Sequence, residues 1–126
     1  MRASFYLGVA LLFVPALVLD AQATPRAATN AQQRADASVL KQSSMILGIP
    51  VARLRVDRSY AEQASPGDAL DIVEIIIAVE EDLEIAIDDD AIYRAADAKG
   101  TSDLARQLSI AEFQGVVREA LSAAGG

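Results

Sequence analysis

Apolar residues recur at three- and four-residue steps along much of the chain, a spacing typical of amphipathic helices. The first such run predicts a helix over residues 35–47, because Gly48 can end it and Pro50 blocks its continuation. Ser43 falls on the apolar side of this helix, where we expect a small loss of packing. Residues 24–34, rich in small and polar types, are predicted to be a flexible lead-in.

A second helix is predicted to begin at Asp68, a good N-cap, with Asp71 favourably placed in its first turn. The β-branched run Ile75–Ile77 would also suit a strand, since such residues lose side-chain freedom in helices. We prefer the helix because the flanking acidic residues follow helical rather than alternating spacing. Its core side is expected to carry Leu70, Val73, Ile76, Ile77, Val79 and Leu83.

Two more helices complete the predicted fold. Acidic residues begin the third, near residues 90–99, and a short turn follows over residues 101–108. Ser109 and Glu112 form a capping box that opens the last helix, in which Phe113 faces the core. Because the sequence has no internal repeat and no segment typical of a strand, it predicts an all-α domain of four helices.

The segment between the first two helices, residues 49–68, is long for a compact domain. Segments of this length are normally functional or are held in place by their own apolar side chains. Leu54, Val56 and Tyr60 are the expected anchors.

The N-terminus has the pattern of a secretory signal. Arg2 precedes an apolar stretch, Phe5–Leu19, and Ala21-Gln22-Ala23 supplies a small-x-small cleavage site. The stretch is short for a membrane span, which needs about 20 residues. We therefore predict a signal peptide over residues 1–23, a secreted or periplasmic protein and no membrane span after cleavage; the alternative is an uncleaved anchor.

Composition excludes several classes of function. The chain has no Cys and no His, so thiol chemistry, the usual neutral-pH base and the commonest zinc ligand are all absent. A net charge of −7 disfavours nucleic-acid binding and suits a protein partner with a basic patch. The run Asp88-Asp89-Asp90 lacks the spacing of a calcium loop and is better explained as a helix start, so no metal site is predicted.

The sequence Gly67-Asp68-Ala69-Leu70-Asp71 resembles the start of the second helix in acyl carrier proteins, where Gly-x-Asp-Ser-Leu-Asp is found. The resemblance covers roughly residues 35–123 and implies a four-helix bundle with a long loop between its first two helices. In that family the serine holds phosphopantetheine. Ala69 stands at the serine position and has no hydroxyl, so the resemblance implies a carrier-like domain without phosphopantetheine or any other cofactor.

The same resemblance assigns a docking role to acidic residues of the second helix. In carrier proteins the matching positions bind basic grooves on partner enzymes, and the alternative is an ordinary solvated helix face. The four positions are Asp71, Glu74, Glu80 and Glu81.

The function predicted is that of an exported, non-catalytic module that docks to a partner or holds a small apolar or acyl ligand between its helices. One alternative is a working acyl or peptidyl carrier modified at another serine, such as Ser65. A second alternative is an unrelated small helical protein with a structural or inhibitory role. An enzyme is disfavoured because the acidic residues are expected to be surface-exposed.

Overall fold

The computed structural model of the protein describes residues 29–125, and the predicted signal peptide lies outside them. Within this range the regular elements are five α-helices and two short 3₁₀-helices, Val51–Arg53 and Tyr60–Glu62, with no β-strand, which confirms the all-α prediction. Helix α1 is described over residues 29–47. The others are α2 (Ala69–Leu83), α3 (Asp89–Ala96), α4 (Thr101–Gln107) and α5 (Ile110–Ala123).

The described part of the chain holds five helices, and the predicted count of four is wrong. The difference arises after α3, which ends at Ala96 rather than Lys99 because Asp97 takes a left-handed conformation, with φ 52°. The backbone at Gly100 is extended, and the predicted turn over residues 101–108 is the separate helix α4.

Helix α1 begins earlier than predicted. Residues 29–34 of the expected lead-in are already helical, and residues 24–28 lie outside the described part of the chain. Ala31 and Ala35 are buried, so the apolar side that includes Val39 extends back by a further turn. Alanine has the highest helix propensity but is only weakly hydrophobic. Because the prediction relied on the spacing of larger apolar side chains, it did not include this turn.

The expected packing loss at Ser43 does not occur. Its Oγ lies 2.7 Å from the hydroxyl oxygen of Tyr60, and both residues have no exposed surface. Burial raises the pKa of Tyr60 because the charged phenolate is disfavoured there, so the phenol stays neutral and hydrogen-bonded. This pair attaches the segment after α1 to α1 itself.

Side chains and backbone both hold residues 49–68 in place. Tyr60 is fully buried, as predicted, and Leu54 is partly buried, but Val56 is 41% exposed and is not an apolar anchor. Backbone hydrogen bonds hold the segment where the Val56 side chain does not. The Val56 carbonyl accepts from the Ala111 N–H at 2.8 Å, and the Tyr60 N–H donates to the Leu108 carbonyl at 3.1 Å. The segment is therefore attached to the junction of α4 and α5.

A single amide side chain organises the middle of this segment. Gln63 is buried, and its Oε1 accepts from the Arg55 N–H at 2.9 Å. Its Nε2 donates to the carbonyls of Arg55, Arg58 and Ser59 at 2.9–3.2 Å. Backbone groups that would otherwise lack partners inside the turn are thus satisfied by one residue.

Candidate functional site

The start of α2 is held by local bonds on both sides of Ala69. The Asp68 carboxylate accepts from the Asp71 N–H at 3.0 Å, and the Asp71 carboxylate accepts from the Asp68 N–H at 3.3 Å, a reciprocal capping box. Just before it, the Gly67 N–H donates to the Tyr60 carbonyl at 3.0 Å. Ala69 is the first residue of the helix and is partly exposed.

Gly67 also lets the helix start lie close to α1. A Cβ atom at this position would come within 3.1 Å of the Leu47 side chain, tighter than ordinary contact. The absence of a side chain therefore brings the N-terminus of α2, with Ala69, against the end of α1.

The buried side of α2 differs from the predicted one. Ile76 and Val79 are buried as expected and Leu83 is half-buried, but Ile72 and Ile75, which were not predicted to face the core, are also buried. The expectation is wrong for three residues that are exposed instead: Leu70 at 66%, Val73 at 37% and Ile77 at 48%.

The error has a physical cause. Apolar residues cover well over half of the circumference of α2, so helical spacing alone does not select one side. Packing in the folded chain selects the side instead: Ile72, Ile75, Ile76 and Val79 are the residues of α2 that are buried. The apolar residues left over then form an exposed strip.

This strip adjoins two of the predicted docking residues. Leu70, Val73 and Ile77 lie at three- and four-residue spacing, so they share one side of α2, and Glu74 and Glu81 follow along its edge. Both glutamates are exposed, and neither has an ion-pair partner within residues 29–125. We call these residues the α2 face: Leu70, Val73, Glu74, Ile77 and Glu81.

The other two predicted docking residues have partners inside the chain. Asp71 belongs to the capping box of α2. The Glu80 carboxylate accepts from the Ile87 N–H at 2.8 Å and so fixes the turn between α2 and α3, next to Glu84 in a left-handed conformation at φ 55°. Asp71 and Glu80 therefore have roles within the chain, whereas Glu74 and Glu81 have no ion-pair partner among the described residues.

An open-sided cavity of about 290 Å³ lies beside the α2 face. Val73, Ile76 and Ile77 form its α2 wall, while α3 and α4 supply the opposite side. The Tyr93 hydroxyl bonds to the Thr101 hydroxyl at 2.8 Å and links α3 to α4 there. Its remaining lining residues are Glu80, Asp89, Ile92 and Leu104.

The sequence did not identify the far wall of this cavity. Ile92 and Tyr93 were visible as apolar residues of the third helix, but nothing in their spacing indicated that they face Ile76 and Ile77. That relation depends on how α3 and α4 pack, which only the folded chain shows.

The remaining predicted features have plain structural roles. Asp88 caps α3 by accepting from the Asp90 N–H at 3.1 Å. No group of acidic side chains suited to a metal ion occurs within residues 29–125. Ser65 is exposed in the segment before α2, outside any helix.

Across the part of the chain that the structure describes, no helix combines the length and apolarity needed to cross a membrane. Comparison with protein-family models, with curated proteins and with solved structures gives no match to this chain.

Proposed function

We propose that this protein is an exported, non-catalytic docking module that resembles an acyl carrier protein but carries no phosphopantetheine. One observation supports it above the others. The α2 face exposes three large apolar side chains beside two unpaired glutamates, immediately after the helix start that holds Ala69 in place of an attachment serine.

The chemistry of this face suits a protein partner with an apolar centre and a basic rim. Exposed apolar strips bordered by charge are typical of interaction sites, because burial of the strip provides affinity. The charges mainly steer the encounter and select the partner, since each exposed ion pair contributes little. Glu74 and Glu81 therefore act together with the apolar residues rather than alone.

The test is affinity capture from an extract of the producing cells with three single-residue variants. Glu81→Lys is expected to lose a specifically bound protein, and Leu70→Ser to weaken its capture. Glu119→Lys is the matched control, since Glu119 is also an exposed glutamate on a helix and lies on α5. Equal capture by all three variants would contradict a docking role for the α2 face.

A second candidate function is the binding of a small apolar or acyl ligand, favoured by the cavity beside the α2 face. Apolar side chains from three helices line it, and a short hydrocarbon segment would cover Val73 and Ile77. Titration with a fluorescent fatty-acid analogue tests this directly. Ile76→Trp, which would fill the cavity, should abolish binding, whereas the exposed substitution Met45→Trp should leave it intact.

One alternative is a working carrier modified at another serine, such as Ser65, and the other is an unrelated small helical protein; the first can be tested directly. It is disfavoured because Ser65 lies in the segment ahead of α2 and is followed by Pro66, away from the helix start. Intact mass after coexpression with a phosphopantetheinyl transferase distinguishes this carrier from the proposed module. A phosphopantetheine arm added to the unaltered chain would contradict the proposal.

A further inference from the structure

Large exposed apolar side chains fall into two groups within the described residues. One group belongs to the α2 face. The other lies earlier in the chain, between the end of α1 and the middle of the segment that follows, and consists of Met45, Val51 and Val56.

The earlier group is accompanied by positive charge. Arg53 and Arg55 lie between the two exposed valines and Arg58 follows them; all three are exposed, and Asp57, also exposed, offsets only one of the three charges. Arg58 pairs with Glu62 at 3.6 Å, an exposed ion pair of little strength, and Arg53 has no ion-pair partner within residues 29–125. We call this region the arginine loop: Val51, Arg53, Arg55, Val56 and Arg58.

The arginine loop and the α2 face are complementary in both respects that matter for docking. Each exposes apolar surface, and the charges beside that surface have opposite sign. From Asp68 to Asp90 the chain has no Lys or Arg, and of the acidic residues of α2 only Asp82 has an ion-pair partner within residues 29–125, Lys41 of α1, so the α2 face itself carries only negative charge. No ion pair joins Arg53, Arg55 or Arg58 to Glu74 or Glu81 within one described chain.

We propose that the partner of the α2 face is a second copy of this chain, which docks through its arginine loop. This inference rests on the docking function proposed above and names its partner. Every molecule carries both halves of the contact, so two copies can exchange them reciprocally and bury both apolar groups at once. Burial of the valines against Leu70, Val73 and Ile77 supplies affinity, and the arginines align on Glu74 and Glu81.

The experiment is sedimentation equilibrium of the purified protein over a wide concentration range, at low and at high salt. Two charge-reversal variants are compared: Arg53→Glu with Arg58→Glu on the arginine loop, and Glu74→Arg with Glu81→Arg on the α2 face. Arg55 is left unchanged because its guanidinium donates to the Glu62 carbonyl and helps to hold the segment.

We expect the unaltered protein to associate reversibly, less strongly at high salt, and each variant alone to associate about tenfold more weakly. An equimolar mixture of the two variants should recover the original affinity, because a negative loop then meets a positive α2 face and the reverse contact is unaltered. Circular dichroism of each variant shows that it is folded, and recovery in the mixture is a result that a misfolded variant would not give.

Association that neither reversal weakens, or that the mixture fails to restore, would overturn the proposal. A protein that stays monomeric at every concentration would also overturn it. If such a monomer still captured a different protein through Glu81, the docking function would stand and only the identity of the partner would be wrong.

Discussion

The hydroxyls of Ser43 and Tyr60 meet at 2.7 Å in a region with no access to solvent, and among residues 29–125 this is the one hydrogen bond between two side chains that joins α1 to the segment that leads to α2. A buried hydroxyl without a partner is costly, so the two residues depend on each other. The pair therefore fixes where the segment leaves α1.

Ser43→Ala should lower the free energy of unfolding by about 1–3 kcal/mol, because it leaves the Tyr60 hydroxyl buried without a partner. Tyr60→Phe should cost about 1 kcal/mol, since the Ser43 hydroxyl can turn to a carbonyl of its own helix. The double variant should lose less than the sum of the two. Urea unfolding of the unaltered protein, the two single variants and the double variant gives the coupling free energy between the two hydroxyls. Additive losses would show that the hydrogen bond contributes no stability.

Gln63→Met should lower the free energy of unfolding by about 2 kcal/mol or more. Methionine has similar volume but offers no amide, so the Arg55 N–H and three carbonyls lose their partner. Gln32→Met on the exposed side of α1 is the control and should change stability by less than about 0.5 kcal/mol. Equal stability of the two variants would mean that water replaces the amide without cost.

Ser38→Ala should destabilise the protein at neutral pH and have little effect in acid. The Ser38 hydroxyl donates to the Asp82 carboxylate at 2.7 Å and lowers its pKa, with help from Lys41 at 3.5 Å. A carboxyl whose pKa is lower when folded stabilises the fold above its unfolded value of about 4, and that stability disappears as pH falls through the folded value.

The loss in Ser38→Ala should therefore be under about 1 kcal/mol near pH 7, because solvent still reaches the Asp82 side chain, which is 31% exposed, and should shrink below about pH 4. Unfolding by urea at a series of pH values measures it. Ser102→Ala, an exposed serine on α4, serves as the control. A loss that is independent of pH would assign the effect of Ser38 to packing alone.

Ala69→Ser tests the resemblance to carrier proteins. The variant would place a hydroxyl on the first residue of α2, between Asp68 and Leu70, where the family attaches its arm. Coexpression with a phosphopantetheinyl transferase should leave the original chain at its own mass and add the arm to the variant. The double variant Ala69→Ser with Ser65→Ala is the control and should be modified to the same extent. If neither variant gained the arm, the resemblance of the start of α2 to carrier proteins would be contradicted.

Sequence alone predicted the elements that have strong local signals. The N-cap predicted at Asp68 and the capping box predicted at Ser109 begin α2 and α5 as expected, because a cap depends only on residues within one turn. Tyr60 was correctly expected to be buried, since a large aromatic ring in a long segment stabilises the fold by leaving water for the core.

The predictions that failed depended on how the helices pack and on how the chain turns between them. The exposure of Leu70 and Ile77 follows from which side of α2 is buried in the fold, and the internal use of Glu80 follows from the turn that brings Ile87 back to it. The spacing of residues within α2 predicts neither this exposure nor this hydrogen bond. The division of the candidate site into free and occupied acidic residues could be found only in the folded chain.

The two backbone hydrogen bonds that join Val56 and Tyr60 to Ala111 and Leu108 bear on the order in which the chain folds. Their partners lie far along the sequence, so closing this loop costs chain entropy that is recovered only once the start of α5 has formed. We expect residues 49–63 to reach their final arrangement late in refolding. Until then Arg53 and Arg58 would be open to trypsin, and a brief pulse of protease during refolding would cut there before the chain became resistant.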